Sequence, residues 1–325
     1  MPQLSFVTVD VFTRTRFQGN PLAICKVPAG QDVSTEQMQR IAFEFNLSET
    51  LFLYEHRSQA PTGSDAPEWR VRIFLTTQEL PFAGHPVIGA ACYALGELAD
   101  YSDTGRLVCN AGPIEISYGK GVAKASIPHN VHVHTETEFT VDQVYELQPG
   151  LQKAGTKPKS IDLVSPVKGM SFVCVELPDL EALGTVQTSG VKPNPKLDKG
   201  WEEGFPASFF YVVTSKDKSG VKLRTRMIEG PLEDAATGSA SCAIGAFLAM
   251  KWKTSQTVTF ELTQGVEMGR QSDIGVVVEL NEGMDGVEMV ELSGSAVKVM
   301  EGQIQYSDWG DKSMQGVLDM AQSIS

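Results

Sequence analysis

Three side chains of proton-moving type stand in well-defined local settings. Glu49 lies in Asn46-Leu47-Ser48-Glu49-Thr50, between a helical stretch over 36–45 and the apolar run Leu51-Phe52-Leu53. A carboxyl in a turn feeding an apolar strand is placed for burial. Burial in a largely apolar cleft raises its pKa from about 4.3 toward neutrality, where one group can both take and return a proton. The same Ser48-Glu49 pair reads equally as a turn or helix-capping pair. His85 and Asp234 each stand at the mouth of a small-residue segment, in Gly84-His85-Pro86 and Glu233-Asp234-Ala235-Ala236-Thr237-Gly238-Ser239. A histidine near a helix start tends to the neutral form, and Asp234 is placed either to orient it or to hold a substrate amine. The plainer alternative is that each caps its own helix. Ser48, His85 and Asp234 are also the residue types of a hydrolytic triad, but Ser48 lacks the sharp Gly-x-Ser-x-Gly turn that would present it.

Other reactive residue types read as structural. His129, His132 and His134 invite a metal, since His132 and His134 share one strand face. With no third ligand nearby and a linker-like context, they read as solvated, and no metal is expected. The glycines of segment 84–89 do not follow the dinucleotide-binding rhythm. The cysteines number five, an odd count with no Cys-x-x-Cys spacing, so reduced structural thiols are expected.

The elements that must position these groups occur twice, at an offset of about 150–160 residues. Gly19 to Pro28 and Gly169 to Pro178 both read as a turn followed by a strand. Ser48 to Tyr54 matches Ala207 to Val213, which gives Glu49 the counterpart Ser208 and leaves the acid in one half only. Trp69 to Phe74 matches Val221 to Arg226, where alternation marks one solvated face. Each copy then enters a Gly/Ala-rich helix, over 86–96 and 239–250. Such helices are apolar all round, the mark of burial. Pro86 suits a first turn, and Ser239 a cap or first-turn position. The predicted fold is α+β: two pseudo-symmetric domains, each a β-barrel-like sheet wrapped around a central helix. The boundary is placed at 1–128 and 129–325, with the segment after about 295 a candidate to rejoin the first half. Breaker-rich loops fall at 57–68 and 188–204. If the halves face one another, both helix N-termini point into one cleft, where unpaired N–H groups and the positive dipole ends would take a small carboxylate.

Bulk properties narrow the function classes. The chain has 325 residues with 27 Lys plus Arg against 40 Asp plus Glu, a net charge of −13. That length suits two domains, and that charge repels nucleic acid. The acid excess concentrates late, with nine acids between Glu261 and Glu301 against Arg270 and Lys298, and reads as solvated strand faces. No signal peptide or membrane-spanning run is visible, so a soluble cytoplasmic protein is expected.

Seven short motifs in order resemble the phenazine-biosynthesis-like (PhzF-like) family, whose fold is that of diaminopimelate epimerase. They are Asp10-Val11-Phe12-Thr13, segment 17–24, Asn46-Leu47-Ser48-Glu49-Thr50, segment 72–76, segment 79–86, segment 233–240, and Gln264-Gly265 with Met268-Gly269-Arg270. The resemblance implies a cofactor-independent isomerase shifting a proton on a small cyclic or amino-acid-like carboxylate. Glu49 would be the general acid/base, with His85 and Asp234 as catalytic partners. Substrate binding would fall to Ser48, Gly84, Thr237, Gly238, Ser239 and Asn20. A homodimer is implied, and no cofactor. Related epimerases use two cysteines, one before each central helix; the corresponding positions here are Ala83 and Thr237. Ala235 and Gln271 stand where the family pattern has proline. A catalytically silent binding or regulatory protein is the alternative.

Overall fold

Strand patterning and turn chemistry carry the chain through two rounds of one path. The computed structural model describes residues 2–55, 66–99, 102–136, 138–202 and 204–306, so most of the 57–68 loop lies outside the described residues. β1 (Gln3–Val11) and β2 (Asn20–Val27) form an antiparallel pair. α1 (Thr35–Phe45) then crosses over to β3 (Thr50–Tyr54), which runs parallel to β2. Ser34 and Gln37 start α1 with a reciprocal capping box, and Asn46 stops it in the left-handed region at φ 49°. That stop leaves Leu47, Ser48 and Glu49 as the turn into β3, with Thr50 already held in the ladder opposite Ala23.

β4 (Glu68–Phe74) and β5 (Glu79–Leu80) lead to α2 (Gly84–Tyr93), whose end widens into a π-helical turn over 94–98. β6 (Thr104–Cys109), β7 (Gly112–Gly119), β8 (Val122–Ser126) and β9 (His132–Val133) complete the round. After α3 (Val141–Leu147) and α4 (Pro149–Lys153) the path repeats. β10 (Ser160–Val167), β11 (Gly169–Glu176), α5 (Leu180–Gly184), β12 (Gly204–Asp217), β13 (Gly220–Glu229) and β14 (Leu232–Asp234) lead to α6 (Gly238–Trp252). β15 (Thr257–Gln264), β16 (Ser272–Leu280), β17 (Val287–Gly294) and β18 (Ala296–Gln305) close it.

The pairings repeat as well. Parallel β2–β3, antiparallel β3–β4 and parallel β4–β6 correspond to parallel β11–β12, antiparallel β12–β13 and parallel β13–β15. The equivalent strands β8 and β17 pair with each other. The last strand of each round joins the other round's sheet, β18 beside β1 and β9 beside β10. The fold is thus α+β and sheet-dominated, with two pseudo-symmetric curled sheets each enclosing one helix. All ten residues of α2 are buried, as is the inner length of α6. Small residues let strands come close: a Cβ on Gly89 would lie 2.6 Å from Leu22 Cδ2.

One detail of the repeat differs from the sequence alignment. Arg72 grips Glu79 with two hydrogen bonds of 2.7 and 2.6 Å, and Arg226 grips Glu233 with two of 2.8 Å. These bidentate pairs, each seven residues apart, lock the β4–β5 and β13–β14 turns and make Arg72 equivalent to Arg226. Phe74 then corresponds to Ile228. Phe74 pairs with Thr50, and Ile228 with Ser208. The counterpart of Thr50 is therefore Ser208, and that of Glu49 is Ala207, one residue earlier than expected. Sequence matching thus slipped by one at β3, and by two at β4, where sequence alone sets Trp69 to Phe74 against Val221 to Arg226. The acid remains in one half only.

The segment after Pro128 is also less linker-like than its composition predicts. It holds β9 and α3, and Val144, Leu147 and Leu151 are buried in a satellite core with Val173, Val175 and Phe210. The late acids do lie on exposed or half-exposed positions of strands and turns, alternating in β15 and β16 with buried apolar residues. Among the described residues no helix is long and apolar enough to cross a membrane.

The two central helices begin against one another. A Cβ on Gly84 would lie 3.3 Å from Gly238 Cα, and one on Gly238 would lie 2.9 Å from Leu292 Cδ2. Gly238→Ala is therefore expected to cost about 1–3 kcal/mol in urea unfolding through overpacking. Gly184→Ala, in α5 with open space around it, is expected to be neutral or to stabilise by up to about 1 kcal/mol through helix propensity.

Candidate active site

The meeting of α2 and α6 leaves backbone donors unclaimed. Side chains cap α1, α3 and α5: Ser34, Thr140 and Asp179. The N-cap residues of α2 and α6 are Ala83 and Thr237, and neither makes a side-chain cap hydrogen bond. The N–H groups of Gly84, His85, Gly238 and Ser239 thus belong to two uncapped first turns, whose dipoles add at one point. The Thr237 N–H does not join them as expected, because the buried Gln264 Oε1 accepts it at 3.2 Å.

A cavity of about 480 Å³ opens there, lined by Glu49, Gly84, His85, Asp234, Thr237, Gly238 and Ser239 together with a mainly apolar wall that includes Phe82 and Met170. The loops that the sequence placed at two separate helix starts therefore share one site. Asn20 and Ser48 stand beside the cavity wall rather than in it. Asn20 Nδ2 donates to Asp234 Oδ1 at 2.8 Å and to the Ala236 carbonyl at 3.0 Å, and Ser48 Oγ donates to Asn20 Oδ1 at 3.4 Å. Thr237 Oγ1 donates to Asp234 Oδ2 at 2.6 Å. Gln264 Nε2 completes the net, donating to the Asp234 carbonyl and to Thr237 Oγ1, each at 2.9 Å. Gln264 was matched by motif without a role; only the fold shows that it ties the loop before α6.

Electrostatics separate the three titratable groups. Burial pushes the Glu49 carboxyl up to about 7, with the Ser48 hydroxyl opposing. Burial pushes His85 down to about 4, against the nearby Asp234 charge and the Pro21 carbonyl. Asp234 is pushed up to about 6, first by burial and then by the charge of Glu49, while His85 and the hydrogen bond from Thr237 oppose. At neutral pH His85 is uncharged. Its Nδ1 lies 3.4 Å from Glu49 Oε2, and its buried Nε2 finds no hydrogen-bond partner among the described residues. Glu49 Oε2 is likewise buried without a hydrogen-bond partner, and unpartnered buried polar atoms on two cavity-lining residues mark a functional site. The triad geometry is not present: Ser48 faces Asn20, and Glu49 rather than Ser48 approaches the histidine.

All five cysteines are free and buried. Cys242 reaches the cavity wall, and burial holds its thiol at about 12, so it is protonated. The histidine segment needs a larger correction. His129 lines the cavity. His134 is buried, its Nε2 2.9 Å from Ser165 Oγ and its Nδ1 accepting the Asp198 N–H at 3.1 Å. His132 Nε2 lies 2.9 Å from Asp198 Oδ2, and the Asp198 oxygens also accept the Thr135 and Glu136 N–H groups. These are not solvated histidines. Asp198, 64 residues beyond His134, was invisible to a reading of local spacing. The three side chains come within ligand distance of one another, but the His134 Nδ1 lone pair and both carboxylate oxygens are already engaged, which describes a clasp better than a metal cradle.

The Glu49 shift has a thermodynamic consequence. Its folded-state pKa lies above the unfolded value of 4.5, so the folded chain holds more protons in between, and stability from this group is lost as pH rises from about 4.5 through 7. Glu49→Gln removes that loss. The variant is expected to match the wild type near pH 4.5 and to exceed it above pH 7 by on the order of 3 kcal/mol, read by urea unfolding across the pH range.

Residues 9–302 match the family described as phenazine biosynthesis-like protein. An uncharacterized isomerase of Mesorhizobium japonicum is 31% identical, covering 94% of this chain and 99% of its own length. The trans-2,3-dihydro-3-hydroxyanthranilate isomerase of Pseudomonas chlororaphis is 31% identical over 92% and 98%. The crystal structure of a PhzF-family phenazine biosynthesis protein from Bacillus anthracis superposes with a TM-score of 0.74 at 22% identity, over 94% of this chain and 100% of that one.

Proposed function

The chain belongs to the phenazine biosynthesis-like protein family, and from that premise we propose that it is an isomerase in which Glu49 moves a proton on a small carboxylate without a cofactor. The observation that carries this reading is the position of Glu49. It is a carboxyl tuned to about 7, beside an uncharged His85, in a cavity that also holds two uncapped helix starts. A shift of a proton between two carbons is redox-neutral. It needs a base that takes the proton from one atom and returns it to another, and a group poised near the working pH does both. The substrate carboxylate would lie against the N–H groups of Gly84, His85, Gly238 and Ser239. His85, whose buried Nε2 has no hydrogen-bond partner among the described residues, would hydrogen-bond the substrate. Asp234, fixed by Asn20 and Thr237, would hold an amine or hydroxyl across the cleft.

The two-thiol chemistry of related epimerases has no support here, because Ala83 and Thr237 occupy the two N-cap positions and the nearest cavity thiol, Cys242, lies one turn into α6. The acid–base pair is replaced by one carboxyl contributed by one half. The substrate for which the Pseudomonas chlororaphis relative is named makes dihydro-hydroxyanthranilate the first compound to try.

In that assay Glu49→Gln is expected to lower deuterium incorporation from solvent by about 10²–10⁴-fold, with ligand binding retained. The wild-type rate should rise with pH through about 7, because the base acts as the carboxylate. Exchange by Glu49→Gln at the wild-type rate overturns Glu49 as the base. His85→Ala and Asp234→Ala are expected to weaken binding as well as rate, since both side chains line the pocket.

A further inference from the structure

The cavity is larger and less polar than a single small acid requires. About 480 Å³ falls in the range of roughly 300–1,000 Å³ that holds a drug-sized ligand. Its chemistry is gathered at one end, where Glu49, His85 and the two helix starts meet. The rest of the lining is mainly apolar, its polar members being Gln78, Glu79, His129 and Lys168, the last joining β10 to β11. Among the described residues Lys168 is the only lysine or arginine lining the cavity.

Lys168 and Gly169 also line a second pocket, shared with Gly200, Trp201 and Glu202, which contains none of the proton-moving groups. Lys168 therefore stands where the cavity meets a pocket that holds none of the proton-moving groups. The lysine is not loose there, for its Nζ sits over the Trp201 ring, 5.6 Å from the centroid. Trp201 is itself fixed. His132 stacks on it at 4.5 Å and 9°, its N–H donates to the Asp198 carbonyl at 3.0 Å, and the His132–His134–Asp198 clasp anchors that loop. Glu202, the one acid at the second pocket, has a carboxylate oxygen turned onto the Gly200 N–H at 2.6 Å. The histidine cluster, idle in the proposed proton chemistry, thus builds the platform that presents an ammonium where the two pockets meet.

We propose that Lys168, presented on the Trp201 platform, is a specificity-determining residue that binds a second anionic group of the substrate, carried across the apolar cavity from the carboxylate held at the helix starts. The substrate class is a two-headed acid: a reacting carboxylate head, an apolar or aromatic middle, and a distal carboxylate or phosphate. This rests on the proposed carboxylate site and extends it, while requiring nothing of Glu49.

The test compares two probes on the full chain by titration calorimetry, 3-phenylpropanoate and 3-(4-carboxyphenyl)propanoate, which differ by one distal carboxylate. The diacid is expected to bind about 3–10-fold more tightly, with an advantage that shrinks as salt rises. Lys168→Met should erase that advantage while binding the monoacid as the unaltered chain does, and Lys168→Arg should keep it. Glu49→Gln should keep it too. Equal binding of both probes, or a diacid advantage that survives Lys168→Met, overturns the distal site. Failure of both probes to bind overturns it together with the carboxylate site on which it rests. A diacid advantage alongside proton exchange that does not depend on Glu49 leaves the distal site standing and removes only the catalytic reading.

Discussion

Two buried helices that start head to head present an electrostatic and hydrogen-bonding problem that the rest of the fold has to accommodate. Each N-terminus carries unpaired N–H groups and a positive dipole end, and here a Cβ on one first residue would lie 3.3 Å from the Cα of the other. Glycine gives the approach room, and Gly84 and Gly238 supply it on both sides, with Leu292 packed beneath both. α1, α3 and α5 are capped by serine, threonine and aspartate side chains. At this junction it does not, and the unclaimed donors open into a cavity. An anion placed there would complete the helices.

The duplicated architecture explains how that junction is held. Strands β8 and β17 pair across the centre, and each half's sheet is finished by the last strand of the other. The halves are thereby tied by backbone ladders rather than by side-chain contact alone. The bidentate Arg72–Glu79 and Arg226–Glu233 pairs do the same job at equivalent turns, delivering each chain segment to its helix. Symmetry ends at the chemistry. Glu49 has Ala207 as its counterpart by strand register, and Asp234 comes from the other half. In the proposed reaction, pseudo-symmetric positions would hold the carboxylate, while unmatched side chains would supply the proton transfer and the hydrogen bonds that discriminate.

Burial is the common cause of the three tuned groups. The same apolar surroundings raise Glu49 and Asp234 and lower His85, so at neutral pH the site carries less charge than its residue types suggest. Partial neutralisation makes their proximity tolerable, since two ionised carboxylates in one apolar cleft would repel. It also places Glu49 where protonated and ionised forms are comparably populated.

Much of this was legible in the sequence because it is local. Apolar alternation, two Gly/Ala-rich runs, and the motifs around Glu49, His85 and Asp234 depend on residues close along the chain, so the α+β duplication, the buried helices and the titratable side chains that the fold gathers at one cavity could be named from it. What the sequence could not decide was set by contacts between distant segments. Gln264 claims the Thr237 N–H from 27 residues away, removing a donor that helix position alone would have offered. Asp198 turns two histidines in an apparent linker into a buried clasp. The one-residue slip that assigned Ser208 to Glu49 was resolved only by which residues pair across β3–β4 and β12–β13. Spacing determines which groups a segment presents. Tertiary structure decides which lone pairs and N–H groups remain free, because hydrogen-bond capacity is used up by whichever partner the fold brings within three ångströms.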